Sequence, residues 1–190
     1  MPGELLVRAS GPDPRMGFFS GYLNMPEETE HAWRGGWFHT GDVVRQSKDG
    51  MLCFVDRRKN IIRRSGENIA AAEIEEALLV LPEVKGAAAL AVEDDMHDEE
   101  VMACVVLMEG VTRSHSAAER LLNELRGKLG ISKLPAWIAF VDELPVTGTQ
   151  KIQKGLIFAA GQDPKTDPRT FDLRQTKRNM RVADLAGTQR

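Results

Sequence analysis

The chain is short of cysteine, of aromatic residues, of net charge and of long apolar runs. Its two cysteines, Cys53 and Cys104, stand far apart, each inside an apolar run. No spacing suits a metal or a redox pair, so the expectation is two buried, reduced thiols and no metal site. Net charge is −3, from 25 basic and 28 acidic residues. That near balance argues against nucleic acid or an anionic membrane as partner. The longest apolar run, 101–108, is too short to span a bilayer. The opening MPGELLVRASG has no apolar signal region. A cytoplasmic protein without a membrane span is expected.

What is present fits a globular protein: 42% hydrophobic and 28% charged residues over 190 positions, enough apolar material for one core without disulfides or metals. Charge is unevenly placed. Residues 56–67 carry Arg57, Arg58, Lys59, Arg63 and Arg64 against Asp56 and Glu67, whereas 93–100 is acidic and the tail after Gly161 is basic again.

Residues 3–8 read as a strand and 26–34 as a short helix opening on a proline. WFHTGDVVRQ and MLCFVD, joined through Asp49-Gly50, read as a β-hairpin. The pattern then changes. A helix is expected near 71–81, with Ile74, Ala77, Leu78 and Leu81 on one face and Pro82 stopping it. Two strands, 86–92 and 101–108, are separated by an acidic loop. A second helix is expected from Ser116, with Glu119 completing a capping box and Gly130 at the C-cap. Its apolar face is Ala118, Leu121, Leu122, Leu125 and Leu129, and a strand follows at 137–141. The expectation is an α+β fold: a small C-terminal domain of mixed sheet with flanking helices over 60–156, preceded by a β-rich segment, 1–55. The tail, 157–190, is polar without an apolar period and is expected to be partly disordered.

Three motifs carry chemistry. GWFHTGD, 36–42, places an aspartate at a strand end, where its two oxygens can accept from a vicinal diol; the plainer reading is a turn aspartate capping its own backbone. DRRKNIIRRSGENIAAAEIE, 56–75, offers cations to phosphate and a turn where Gly66 lets a ligand approach; the plainer reading is a solvated strand and a turn. LPVTGTQKIQK, 144–154, presents Lys151 after a Thr-Gly-Thr loop, and most such lysines are simply solvated.

Taken in order, PGELLVR, GYLNMPEETEHAWRGGWFHTGD, FVDRRKNIIRRSGENI and FVDELPVTGTQKIQK resemble the adenylate-forming superfamily from Pro2 to about Leu156. The forms of GWFHTGD and GEN look most like fatty-acid and carnitine-type CoA ligases. The resemblance implies a carboxylic acid, ATP (with Mg2+) and CoA as substrates. An acyl-adenylate and pyrophosphate form first, then the acyl-CoA thioester and AMP. It implies that Asp42 binds ribose, that Arg57 contacts ribose or phosphate, and that Lys59 is the hinge, within 56–59, about which the small domain turns. It implies that Lys151 serves adenylation and that Ser65, Gly66 and Glu67 line the pantetheine tunnel. Arg64 and Lys133 are weaker candidates for the CoA phosphates.

The sequence departs from the family pattern at Gln150, where a glycine usually precedes the lysine, and at Ala71, where a proline is usual. The family's Ser/Thr/Gly-rich phosphate loop and its aromatic-Gly-x-Thr-Glu block, which holds adenine and magnesium, do not occur in the chain. The expected partner is therefore a missing large N-terminal domain, with residues 1–55 as its β-rich remnant, and the chain alone is expected to be inactive. The alternatives are a subunit complementing a separate large domain and a stand-alone module that binds CoA or nucleotide.

Overall fold

The computed structural model describes residues 2–187. The chain divides into two compact units, Met1–Lys59 and Asn60–Arg190.

The first unit is a three-stranded antiparallel sheet in the order β1 (Pro2–Val7), β2 (Phe38–Gln46), β3 (Leu52–Arg57). Helix α1 (Pro26–Ala32) precedes β2 and starts at its proline. Phe18, Phe19, Trp33 and Phe38 pack ring to ring beside it, with centroids 4.9–5.7 Å apart. Cys53 is exposed on β3, contrary to the expected burial, while Cys104 is buried. Leu52 and Phe54, on the opposite face of the strand from Cys53, are exposed as well, so the start of β3 is uncovered on both faces.

The second unit is a six-stranded mixed sheet. Strand β7 (Asp98–Leu107) runs antiparallel to β6 (Val84–Asp94) and parallel to β8 (Trp137–Phe140). The hairpin of β4 (Ile61–Arg64) and β5 (Glu67–Ala70) joins β7 through Arg64 opposite Asp98. The near-continuous apolar sequence of β7 follows from its place, since both of its faces are covered. Val101, Ala103 and Val105 join one apolar cluster with helices α2 (Ala71–Leu79) and α3 (His115–Arg126); Met102 and Cys104 join a second cluster with Trp137 and Ile157. Burial pushes the Cys104 thiol up to about 12, so it stays protonated and inert.

Two sequence expectations about local structure are corrected. The acidic stretch is not a loop: β6 and β7 continue through it and turn only at residues 95–97. The N-cap of helix α3 lies two residues earlier than expected, at Ser114 rather than Ser116, and its hydroxyl accepts from the Ala117 amide at 3.2 Å. It also ends earlier, with Gly127 rather than Gly130 at the C-cap.

The tail, expected to be partly disordered, is a built part of the second unit up to residue 187. Strand β9 (Thr170–Asp172) pairs with β8, and helix α4 (Arg174–Gly187) follows. Few of its apolar residues are needed: Ile157, Leu173 and Met180 enter the two clusters, and ion pairs do the rest. Within the tail, Asp167 orders the loop that leads into β9. It accepts from Arg169 Nε and Nη2 at 2.8 Å and from Gln162 Nε2 at 3.0 Å. The Arg169 guanidinium holds its carboxyl at about 2, below the ordinary 3.8. A folded value below the unfolded one gives stability that is present above about pH 4 and is lost as pH falls toward 2. In an acid titration followed by circular dichroism, Asp167→Asn is expected to flatten that limb; an unaltered limb would show that this pair adds nothing to stability.

No helix among the described residues is long and apolar enough to cross a membrane.

Candidate functional site

In the first unit, the Thr-Gly-Asp turn aims a carboxylate at the sheet's end. Thr40 Oγ1 donates to the Leu5 carbonyl at 2.8 Å and accepts from the Asp42 amide at 3.0 Å. Gly41 takes φ 72°, which lets the strand bend there. The Asp42 amide is thus capped by threonine, not by its own side chain. Arg57 lies opposite Asp42 in the β2–β3 register. Its Nε is 2.8 Å from Asp42 Oδ1, and its Nη1 donates to the Thr40 carbonyl at 3.2 Å. The ion pair is close but off-line: Oδ1 is buried and accepts no hydrogen bond.

Lys59 sits in a 3-10 turn, Arg58–Asn60, at the boundary between the two units.

In the second unit, the SGEN segment is a two-residue hairpin loop. Arg64 pairs with Glu67, and Ser65 and Gly66 both take positive φ, 47° and 80°, the backbone of the tight turn that matches strand twist. The Ser65 amide donates to the His97 carbonyl at 3.1 Å, so the tip rests on the β6–β7 turn. Arg64 is not free for a ligand in the way the sequence suggested. It is buried, and its Nε donates to Glu100 Oε2 at 2.7 Å. Lys133 is likewise engaged, donating to both Glu73 oxygens at 2.6 and 2.8 Å.

Lys151 ends a closed loop. The Thr147 amide donates to the Lys151 carbonyl at 2.8 Å, the Gln150 amide to the Thr147 carbonyl at 2.9 Å, and the Lys151 amide to Thr147 Oγ1 at 3.1 Å. Val146 and Ile152 bridge its base. Gln150 takes φ 62°, so the backbone keeps the left-handed shape that a glycine would adopt freely. A side chain there costs about 1–2 kcal/mol. Lys151 is exposed, and among the described residues no carboxylate pairs with its ammonium.

Sequence reasoning missed two participants. Glu100 and Lys177, both buried, form with Arg64 a three-member ion cluster behind the hairpin tip. An acidic run and a basic tail give no hint of this, because their pairing spans 77 residues of chain. Among the described residues no group of three or more His, Cys, Asp or Glu is placed to hold a metal ion.

Residues 73–151 match the family model described as AMP-binding enzyme C-terminal domain. The chain is 40% identical over 153 residues to a feruloyl-CoA synthase of Amycolatopsis sp, covering 80% of this chain and 29% of that protein. It is 36% identical to a crotonobetaine/carnitine–CoA ligase of Proteus mirabilis, covering 80% of this chain and 28% of that one. In structure it is similar to the o-succinylbenzoate CoA synthetase of Bacillus subtilis in complex with its acyl-adenylate intermediate. The TM-score is 0.69 at 29% identity, over 86% of this chain and 31% of that one. The chain thus spans under a third of the length of these relatives.

Proposed function

The chain belongs to the adenylate-forming superfamily, with an AMP-binding enzyme C-terminal domain at residues 73–151, and on that footing we propose that it is the C-terminal part of an ATP-dependent acyl-CoA ligase. The whole enzyme would join a carboxylic acid to CoA through an acyl-adenylate, releasing pyrophosphate and then AMP. The observation that carries this reading furthest is the Asp42–Arg57 pair, 2.8 Å apart across the β2–β3 register. It lies within a chain that aligns with CoA ligases over four-fifths of its length.

In this reading Asp42 accepts from the ribose hydroxyls, and Arg57 orients that carboxylate and meets ribose or phosphate. Lys151 places its ammonium between the α-phosphate and the attacking carboxylate. Ser65, Gly66 and Glu67, at the hairpin tip, line the path by which the CoA thiol reaches the adenylate. Arg64, tied to Glu100, stiffens that tip rather than holding phosphate. The large N-terminal domain is the partner that supplies the acyl pocket and the remaining nucleotide contacts. The chain alone is inactive, and the enzyme works in the cytoplasm.

Lys151 and the hairpin tip serve different half-reactions, so the second unit must change pose between them, and Lys59 at the boundary is the pivot. The test is Lys59→Pro in the intact enzyme, because proline fixes φ near −65°. Adenylation, read as pyrophosphate release, is expected to stay near wild type, while thioester formation falls about a hundredfold, the scale of a misplaced reacting group. Unchanged rates in both steps would remove Lys59 as pivot. An intact wild-type enzyme that releases no pyrophosphate with any acid would remove the ligase reading itself.

A further inference from the structure

Within the second unit, a cavity of about 640 Å3 lies between the β4–β5 tip, the β6–β7 turn and helix α4. Its volume is that of a small-molecule site. Helix α4 lies outside the matched residues 73–151.

Helix α4 is fixed on one side and basic on the other. On the fixed side Met180 is buried, Thr176 Oγ1 donates to Glu119 Oε1 at 2.9 Å, and Asp184 pairs with Arg126. On the other side Arg174, Lys177, Arg178 and Arg181 line the cavity. Their spacing of i, i+3, i+4 and i+7 puts them on one helical face.

The charges do not cancel at the cavity floor. Buried Glu100 accepts from Arg64 Nε at 2.7 Å and from Lys177 Nζ at 2.9 Å, one carboxylate against two cations. Lys177 Nζ also donates to the Leu134 carbonyl at 2.6 Å. Burial lowers the Lys177 ammonium to about 8, although Glu100 opposes the shift, and Arg64 adds repulsion. Arg174 is committed to Asp172, with bonds of 2.6 and 3.0 Å. Arg178 and Arg181 have no carboxylate partner among the described residues. Of the acids around the cavity, Asp94 is taken by His97 Nδ1 at 2.7 Å and the Met96 amide at 3.1 Å, while Asp95 and Glu67 are exposed. The floor therefore holds a surplus positive charge, and two guanidiniums without a carboxylate partner among the described residues stand on the wall above it, Arg178 Nε reaching only the Arg174 carbonyl at 3.5 Å. Guanidinium forks match phosphate oxygens in shape and charge.

We propose that this cavity binds a phosphorylated small molecule, held by Arg178 and Arg181 over the charged floor of Arg64 and Lys177. The proposal does not depend on the ligase reading. Inorganic pyrophosphate, a nucleotide and CoA share the required chemistry, and the test separates them.

Calorimetry on the full chain would use pyrophosphate, AMP, CoA and 3′-dephospho-CoA in phosphate-free buffer. At least one is expected to bind saturably, with Kd no weaker than about 1 mM, and more weakly at high salt. The double variant Arg178→Ala, Arg181→Ala should weaken that binding about tenfold or more, with an unaltered circular dichroism spectrum. CoA binding tighter than dephospho-CoA would assign the guanidiniums to the 3′-phosphate; equal binding of AMP or pyrophosphate would assign them to a simpler phosphate. If the alanine variant loses its helical signal, the double glutamine variant, which keeps helix propensity, carries the comparison. Two results would overturn the proposal: no saturable binding of any of the four, or wild-type affinity in a folded double variant.

Discussion

Replacing Lys151 by alanine in the intact ligase is expected to cut acyl-adenylate formation about a hundred- to a thousandfold. Thioester formation from supplied acyl-adenylate should remain within a few fold of wild type. Negative charge gathers on the α-phosphate and on the attacking carboxylate as they meet. A cation fixed between them therefore stabilises the transition state more than the separated substrates. Lys151 suits that task by its loop. The backbone is closed by bonds of 2.8, 2.9 and 3.1 Å between residues 147, 150 and 151, while among the described residues its ammonium has no carboxylate to leave behind. In the proposed reading that charge has no further work once the adenylate exists, and the hairpin tip would take the place of the loop. The measurement is a pair of single-turnover assays, pyrophosphate release and thioester appearance. Equal loss in both would mean that Lys151 holds the fold or the nucleotide rather than the adenylation transition state.

Glu100→Ala carries the largest expected effect on stability. It removes the one carboxylate shared by Arg64 and Lys177, both buried, and leaves two cations in a poorly solvated floor. Breaking a buried ion cluster from one side costs about 3–5 kcal/mol, a large share of a domain's total stability. The loss should depend on pH. Lys177 titrates near 8 in the fold, below its ordinary 10.5, so the charged lysine is a burden at neutral pH and is relieved as pH rises. Without Glu100 the proton leaves at lower pH still. The difference between variant and wild type should therefore shrink as pH rises toward about 8. Urea titration by circular dichroism at pH 6 and about pH 9 would read both effects. A difference under about 1 kcal/mol that does not change with pH would show the cluster to be solvated and energetically minor. Because Arg64 adjoins the tip that carries Ser65 and Gly66, the same variant tests how firmly Glu100 holds that tip.

Much of the architecture was legible in particular residues. The period of Ile74 and Leu78 gave α2, and that of Leu121, Leu122 and Leu125 gave α3, since burying one helical face requires that spacing. The alternation from strands to helices past residue 60 gave the α+β class. The capping of α3 was misread because Ser114 and Ser116 both offer a hydroxyl, and only the chain's entry angle selects the first. The tail was misread for a different reason. Its order comes from scattered anchors, Ile157, Leu173, Lys177 and Met180, each satisfied by residues far away in sequence. Composition measures none of those contacts.

The sequence by itself determined the family, through three separated motifs in order, and with it the expectations placed on Asp42, Arg57, Lys59 and Lys151. Those depend on residue type and spacing, which the chain states directly. Tertiary structure alone decided which charged groups remain available. It engages Arg64 with Glu100 and Lys133 with Glu73, leaves Asp42 Oδ1 without a hydrogen bond, and brings a basic tail helix over a cavity. Charge pairing falls off over a few ångströms, and no pattern along the chain states which residues folding brings that close.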